Sequence, residues 1–494
     1  MKGDKMSIEQ GKKLGFFAAL TMLIGTVVGI GIFFKNASVA SATNHDGVTW
    51  LLAWIIGGII AAATAISFSE IGSMKLKTDA SGLPGWTEKL LGKKAGKFTE
   101  FNYSFIYWGS LISVLGFFGS EMLISMFAQI GVISSIPIYG HVLIGLTFTF
   151  TFIIINFFSI KASGIIQQIS TILKFIPLVF AFIIGVVLPM TNNTGGENAF
   201  HANKFTFQGL IVALPAVLFA YDAFMSVTTL TNKVKNGEKR VPTIVLIGML
   251  SIIVLYTLIA VSSILHNSGT IQGLISNVMP KGVAKSLGAI VFGFIVISTF
   301  GVINGVSAAT VSVFEENVEN ETFFGMRSLK ESKMPNKYIP ILFIFMVVGF
   351  WTMTIGIPSI ILNKSYLFDG FSNFPTLFFF VIYGIIIFKY SLKRKRMKTK
   401  KINKFIFYTS ACIAVVGIFF VVGYLLIGHF IVDTIINIHA QSSWGDGTAT
   451  QLTEFGVFIA EIGIFIIFPI INSLLKKQEN RRINIKEAKS FIEQ

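Results

Sequence analysis

The stretch LIGTVVGIGIFF, residues 23–34, belongs to the first apolar run of the chain and contains Gly25, Gly29 and Gly31. Glycine weakens a helix by roughly 1 kcal/mol relative to alanine, so three glycines in one helical segment need a reason. These residues alone leave two explanations open. Gly25 and Gly29 have the spacing that lets two membrane helices pack closely. Alternatively, the glycines mark an interrupted helix of the kind that builds the binding sites of membrane carriers.

The composition indicates that this stretch lies in a membrane. Hydrophobic residues make up 53% of the 494 residues, charged residues make up 13%, and the mean hydropathy is +0.73. Soluble domains carry roughly 25% charged residues. The net charge of +16 does not indicate a nucleic-acid partner, because the basic residues stand in short connectors, where they face lipid headgroups. The single cysteine, Cys412, and the lack of Cys/His metal spacings predict neither a metal nor another cofactor.

Hydropathy predicts an all-α integral membrane protein with twelve transmembrane helices. A spanning helix needs about 20 mostly apolar residues. The segments that meet this requirement are 14–34, 48–69, 101–130, 142–159, 164–189, 207–230, 241–265, 283–314, 338–360, 372–390, 404–429 and 453–475. The polar segment 1–13 has no cleavage site after it, so we predict a cytoplasmic N-terminus that is retained. Segment 476–494 is predicted to be a cytoplasmic tail in solvent or along the inner leaflet.

The distribution of basic residues predicts the orientation. Of the 40 Lys and Arg residues, 34 lie on the same side of the predicted membrane as the N-terminus. One more, Lys174, lies inside span five, and the opposite side holds Lys35, Lys204, Lys281, Lys285 and Lys364. Because Lys and Arg accumulate in cytoplasmic loops, we predict that both termini are cytoplasmic and that the protein resides in the plasma membrane.

Five motifs follow one another in a definite order along the chain. They are GTVVGIGIF (25–33), AWIIGGIIAAATAISFSEIGS (53–73), GIIQQISTILKFIPL (164–178), LPAVLFAYDAF (214–224) with VKNGEKRVP (234–242), and FGVINGVSAAT (300–310). In this order they resemble the amino-acid permeases of the amino acid-polyamine-organocation (APC) superfamily. The resemblance implies two inverted five-helix repeats, 14–189 and 207–390, with spans one and six broken near the midplane, and two further spans within 404–475.

The resemblance also implies a substrate site at the two breaks. Broken helices leave unpaired N–H and C=O groups, which suit the carboxylate and the ammonium of an amino acid. The implied carboxylate site consists of the amides of Gly29, Ile30 and Gly31 with the hydroxyl of Thr26, and the ammonium would meet carbonyls of Val28, Phe219, Ala220 and Tyr221. Phe219 and Phe224 flank the break in span six and are predicted to be pocket or gate residues.

Acidic residues at membrane depth are costly unless they are paired or functional. Asp222 lies at the implied break in span six, where it either contacts a cationic group of the substrate or caps the second half of the helix. Span six lacks the glycine that the family usually has here, so its opening is predicted to depend on Pro215 and Asp222. Three further acids are assigned as follows: Glu70 to a structural pair, Glu121 to a polar pair or the transport path, and Glu461 to a helix contact.

Lys174 is followed by a proline in span five, as in the proton-coupled branch of the superfamily. There the ammonium takes the place of sodium and contacts span one. Burial disfavours the charged form of a lysine, which makes reversible protonation feasible. The residue is therefore predicted either to carry the coupling proton or to be a fixed charge that locks spans one and five together.

The sequence thus predicts a secondary amino-acid transporter that works by alternating access and is driven by protons or by exchange with a counter-substrate. A carrier of polyamines or other organic cations is the alternative in the same fold. A non-transporting amino-acid sensor is less favoured, because we expect such a protein to append a signalling domain. We do not expect an enzyme, since the connectors are short and the six histidines form no HExxH pair. The sequence sets neither the preferred amino acid nor the oligomeric state.

Overall fold

The structure is a computed structural model that describes residues 15–76, 78, 80–187, 199–200, 205–225, 234–437, 442, 444–445 and 447–492. Within these ranges, eleven helices are long and apolar enough to cross a membrane, and a bent pair of shorter helices raises the number to twelve. Span one is Phe16–Val27 with Gly31–Ala42, and spans two to twelve are Gly47–Ile71, Lys93–Ile130, Ile138–Phe158, Lys161–Val186, Phe207–Phe224, Arg240–Leu265, Gly282–Glu319, Asn336–Leu362, Tyr366–Arg396, Lys404–Ile436 and Thr448–Ile485. The predicted all-α membrane fold with twelve spans is confirmed. Segment 1–13 and the predicted end of span six, 226–230, lie outside the described residues.

Several spans extend beyond the predicted bounds, and spans one and twelve are examples. Span one continues to Ala42 instead of ending at residue 34, because the polar side chains of its second half have buried partners. The helix of span twelve runs as Thr448–Ile492. The segment predicted as a tail therefore begins as a continuation of this last helix.

Shorter elements occupy the connectors and interrupt some spans. Helices Gly82–Leu91, Ile271–Val278 and Met326–Lys330 lie between spans. Span three contains a π-helical stretch, Tyr103–Trp108, and span eleven ends in another, Leu425–Asn437. Wider helical turns of this kind occur often at functional sites.

The helices pack around two hydrophobic cores. One core is formed mainly by spans one, two, six and seven, together with parts of spans ten and eleven. The other is formed mainly by spans three, four, eight and nine. Spans one and six thus lie in one core, and spans three and eight belong to the other.

Span two contributes a face of small residues to the first core. Its sequence GGIIAAATA is rich in small residues, which let helix backbones approach closely. A Cβ atom added to Gly58 would lie 2.8 Å from a side-chain atom of Ile253 and 3.0 Å from the hydroxyl of Tyr221. Gly57 faces Val217 in the same way. Spans six and seven are therefore held directly against span two.

Candidate functional site at the two helix breaks

Span one is interrupted where the glycine-rich stretch predicts it. The first half ends at Val27, Val28 has an extended backbone, and the second half starts at Ile30. The two halves are bent by 45° relative to one another. The N-cap residue Gly29 supplies no side-chain cap to the second half, and its backbone forms a hydrogen bond with the hydroxyl of Tyr256.

The glycines of this stretch have different surroundings. A Cβ atom on Gly25 would lie 3.0 Å from Thr171 Cγ2 of span five, so this glycine permits close helix packing. A Cβ atom on Gly31 would lie only 2.6 Å from Ala220 Cα, and the missing side chain therefore allows the second half of span one to touch span six. Gly29 lies in the break itself, next to Val302 of span eight. Both explanations of the glycines apply, each to different residues.

Lys174 lies against the first half of span one. Its Nζ donates a hydrogen bond to the carbonyl of Gly25, and the residue is buried. The span is interrupted locally, because Leu173 ends one helix and Phe175 starts the next, and Pro177 cannot donate to the carbonyl four residues earlier. Among the described ion pairs none includes Lys174. A neutral carbonyl is therefore the observed partner of this ammonium.

Span six also changes its geometry at the residues that the sequence singled out. Its α-helix runs as Phe207–Tyr221 and passes through Pro215 without interruption, and a 3-10 turn follows at Asp222–Phe224. The α-helix thus ends just before Asp222, and Pro215 lies inside it. The amide of Asp222 donates to the carbonyl of Phe219, which is one of the carbonyls predicted to receive the substrate ammonium.

Asp222 is buried beside the π-helical stretch of span three. Tyr107 donates its hydroxyl hydrogen to Asp222 Oδ2 at 2.5 Å. The other carboxylate oxygen, Oδ1, is buried and has no hydrogen-bond partner within the described residues. Tyr383 of span ten also forms a side-chain hydrogen bond with Asp222, so phenols from two spans stabilise this buried carboxylate. This geometry links spans three and six, a contact that neither prediction for Asp222 included.

Tyr256 of span seven was not identified from the sequence. Its hydroxyl is hydrogen-bonded to the carbonyl of Val27 at 3.1 Å and lies 3.5 Å from the carbonyl of Ala220. The side chain is fully buried. One carbonyl ends the first half of span one and the other lies in the last turn of the α-helix of span six, so one hydroxyl connects these two helix ends.

Lys35 corrects a prediction from hydropathy. It was assigned to the exterior, and Lys174 was taken as the only basic residue within a span, but Lys35 is completely buried in the second half of span one. Its Nζ pairs with Asp369 of span ten and donates to Ser372 Oγ at 2.5 Å. The prediction failed because hydropathy cannot detect a distant carboxylate that offsets the cost of burying an ammonium.

Phe219 lies next to the Lys35 pair. The Lys35 ammonium is 4.6 Å from the centre of the Phe219 ring and 5.7 Å from that of Phe118. This arrangement is a cation–π contact. Phe224, on the other side of the break, is fully buried and packs against Phe380 and Tyr383 of span ten. The two predicted gate residues therefore have different surroundings, one beside a charge and one in an aromatic cluster.

Not every predicted residue is brought into the site. Thr26 is exposed, and its hydroxyl donates to the carbonyl of Met22 in its own helix at 2.6 Å. The structure thus directs this hydroxyl along the first half of span one and not toward the break. Ile30 enters the argument only through its backbone amide, which begins the second half of span one.

The acidic residues that lie away from the helix ends differ in their burial and in their hydrogen-bond partners. Glu70 forms a bidentate pair with Arg394, at 2.8 Å for each of two contacts, and accepts from Tyr390 at 2.7 Å, so its predicted structural pairing is confirmed. Glu461 of span twelve is buried, and neither of its oxygens has a partner among the described residues. Glu121 is partly buried in span three.

Comparison with known proteins identifies the family to which the chain is similar. The family model described as amino acid permease matches residues 14–444. The serine/threonine exchanger SteT of Bacillus subtilis is 26% identical over 426 residues, which cover 84% of this chain and 91% of that protein. The b(0,+)-type amino acid transporter 1 of Homo sapiens is 25% identical over 310 residues, 60% of each chain. The human cystine/glutamate transporter is 23% identical over 316 residues, 60% of this chain and 59% of that protein.

Proposed function

This chain belongs to the amino acid permease family, and we propose that it moves amino acids across the plasma membrane by alternating access around the breaks in spans one and six. The observation that carries the proposal is the interrupted first span, with its uncapped second half packed on the end of the helix of span six. Interrupted helices are tolerated at membrane depth where the freed backbone groups line a binding site. The positive-inside distribution of Lys and Arg supports cytoplasmic termini.

The substrate carboxylate binds the amides of Gly29, Ile30 and Gly31, where the dipole of the second half helix favours an anion. The ammonium faces carbonyls of the first half helices, among them those of Val28 and Ala220. The division into inverted repeats, 14–189 and 207–390, puts one break in the first helix of each repeat, which is why the two breaks meet at one site.

Lys174 couples this site to protons in our proposal. Its partner is a carbonyl of span one, close to the break, and an uncharged partner holds an ammonium less strongly than a carboxylate does. Protonation would bridge spans one and five, and loss of the proton would release the bridge, so a proton gradient would bias the two orientations. Exchange is the alternative mode, and SteT supports it through its name as an exchanger.

The test is uptake into proteoliposomes, measured for all twenty amino acids and for several polyamines. We expect accumulation of at least one amino acid when an inward proton gradient is imposed, and we expect Lys174→Ala to abolish the accumulation but to retain substrate binding. Lys174→Arg should not restore it, since arginine does not release its proton readily. If Lys174→Ala still accumulates substrate in response to the gradient, the proton role is wrong.

Counterflow separates the two modes. Uptake that requires internal amino acid and does not respond to a pH gradient in the wild type would establish exchange, with Lys174 as a fixed link between spans. A wild type that takes up none of the twenty amino acids under either condition would contradict the proposed function itself.

Asp222 favours one second candidate, a carrier of cationic amino acids or polyamines. Its carboxylate lies at the end of the α-helix of span six, and Oδ1, which has no hydrogen-bond partner within the described residues by distance and angle, would receive a cationic group of the substrate in addition to the phenols of Tyr107 and Tyr383. In that case, Asp222→Asn would weaken transport of lysine and putrescine much more than transport of alanine. An equal loss for all three, together with a lower melting temperature, would assign Asp222 to the structure of the break.

A further inference from the structure

The connector between spans ten and eleven is unusually basic. The stretch KYSLKRKRMKTKKINK, residues 389–404, contains nine Lys and Arg residues, and no acid lies between Asp369 and Asp433. Every other predicted cytoplasmic segment with four or more basic residues also contains at least one Asp or Glu. Orientation in a membrane requires only an excess of basic residues, so an accumulation without any acid needs a further reason.

One of the nine side chains is neutralised, and it anchors the connector to span two. Arg394 is buried and pairs with Glu70, which also accepts a hydrogen bond from the amide of Ile402 at 3.0 Å. The guanidinium donates to the carbonyl of Ile402 at 2.8 Å, and the amide of Lys400 donates to Ser73 at 3.0 Å. The connector is therefore attached at several points to the end of span two, which preorganises the cations around it.

Five of the other basic side chains are exposed and take part in none of the ion pairs in the described part of the chain: Lys389, Lys395, Arg396, Lys398 and Lys404. The connector between spans eight and nine differs, because Arg327 pairs there with Glu331 and Lys330 pairs with Glu321. Like charges that lie close together repel one another, and an anionic ligand would relieve this repulsion.

Exposed apolar residues beside these cations indicate the kind of ligand. Phe388 and Leu392 on span ten are 49% and 68% exposed, and Phe405 on span eleven is 78% exposed. Span ten ends at Arg396, and span eleven begins at Lys404. Apolar side chains followed by cations at the ends of two spanning helices lie where acyl chains meet headgroups. A nucleic acid or an acidic protein would leave the apolar residues without a partner, whereas a lipid matches both parts.

We propose that residues 389–404 form a binding surface for anionic phospholipids in the leaflet on this side of the membrane. The headgroup phosphate contacts the exposed cations through charge-assisted hydrogen bonds, and the acyl chains lie along Phe388, Leu392 and Phe405. Phosphatidylcholine offers similar chains, but its own ammonium offsets the charge of its phosphate. The surface therefore prefers phosphatidylglycerol to phosphatidylcholine. This inference does not rest on the proposed transport function.

The test measures lipid binding to the purified full chain in detergent by native mass spectrometry. Dioleoyl phosphatidylglycerol and dioleoyl phosphatidylcholine have the same acyl chains, so titration with each isolates the effect of the headgroup. We expect the wild type to bind phosphatidylglycerol roughly a hundredfold more tightly, and we expect Lys395→Gln/Arg396→Gln/Lys398→Gln to lose this preference, because each cation near an anionic surface contributes about a fivefold factor. Lys395→Arg/Arg396→Lys/Lys398→Arg keeps the charge and should keep the preference.

Lys93→Gln/Lys94→Gln/Lys97→Gln is the matched control. It also removes three exposed cations on the predicted cytoplasmic side, but at the start of span three, where Glu88 and Glu100 are near in sequence. This variant should keep the preference for phosphatidylglycerol. Without added lipid, every variant should melt close to the wild-type temperature, because exposed charges contribute little to stability.

Salt tests the surface without any substitution. Raising ammonium acetate from about 0.1 M to about 1 M shortens the screening length from about 10 Å to about 3 Å and should remove most of the preference of the wild type. The proposal is wrong if the wild type has no preference at the lower salt concentration, if the glutamine variant at 395, 396 and 398 keeps it, or if the control loses it to the same extent. Competition by glycerol 3-phosphate as strong as that of the lipid would assign the surface to small phosphates and would also overturn the proposal.

Discussion

Two buried lysines, one beside span one and one within it, have different partners. Lys174 reaches the first half from span five and donates to the carbonyl of Gly25. Lys35 belongs to the second half and pairs with the carboxylate of Asp369 in span ten. Both are almost completely shielded from solvent. One break therefore has a neutral contact on one side and an ion pair on the other.

This difference separates a group that can exchange a proton from a group that keeps its charge. The attraction between opposite charges in a medium of low dielectric is strong, so removing the proton from Lys35 would leave the Asp369 carboxylate buried without a counter-charge. Removing the proton from Lys174 leaves only a carbonyl with one donor fewer. We infer that Lys35 holds spans one and ten together in every protonation state of Lys174.

The largest effect is expected when one partner of the ion pair is removed. Asp369→Asn leaves the Lys35 ammonium buried without its counter-charge, and breaking a buried pair in this way costs about 3–5 kcal/mol. The Lys35→Met/Asp369→Asn double variant removes the stranded charge and should recover most of the loss. Melting temperatures of the purified protein in detergent measure both.

A surface pair provides the control for this first prediction. Lys330 and Glu321 lie 3.2 Å apart, with 29% and 36% of their side chains exposed. Exposed pairs contribute about 0–1 kcal/mol, so Lys330→Met should hardly change the melting temperature. If Asp369→Asn destabilises the protein no more than Lys330→Met does, Lys35 does not depend on the carboxylate and the contrast between the lysines is lost.

An intermediate effect is expected at Lys174. Lys174→Met keeps an unbranched side chain of similar length and strands no opposite charge, so the cost is the lost hydrogen bond to Gly25, about 1–2 kcal/mol. The loss of stability should thus be smaller than in Asp369→Asn, whereas the loss of proton-driven accumulation should be complete. A destabilisation as large as that of Asp369→Asn would indicate that Lys174 has an ionic partner. Lys174 and Lys35 would then no longer differ in the charge of their partners.

The sequence predicted the elements that depend on local pattern. Twelve apolar segments, the break after Val27 and the turn at Asp222 follow from hydropathy, glycine placement and the order of short motifs. Gly25 and Lys174 were both singled out, and the structure brings them together. These features can be predicted because each depends on residues within one helix or on motifs that occur together.

Two contacts between distant parts of the chain, those of Lys35 and of Tyr256, were not predicted. Lys35 and Asp369 are separated by 334 positions, and each on its own resembles a loop residue at a helix end. One available signal was that span ten also begins with an acid inside the apolar sequence YLFDGFSNF, and two opposite charges at similar depth favour a pair. Tyr256 gave no comparable signal, because a tyrosine in an apolar helix is ordinary until its position relative to the two breaks is known.

The smallest effect concerns the ring beneath Lys35. Phe219→Leu keeps most of the apolar volume and removes the cation–π contact, which contributes about 0.5–2 kcal/mol. Because Lys35 is charged in our interpretation, this variant should lower stability in the wild type more than in a Lys35→Met background. The difference between the two backgrounds isolates the interaction of ring and charge from the change in packing. We expect a coupling of about 0.5–1 kcal/mol that does not change as the pH rises from 6 to 9. If the coupling disappeared over this range, Lys35 would lose its proton as Lys174 is proposed to do, and the two lysines would no longer differ.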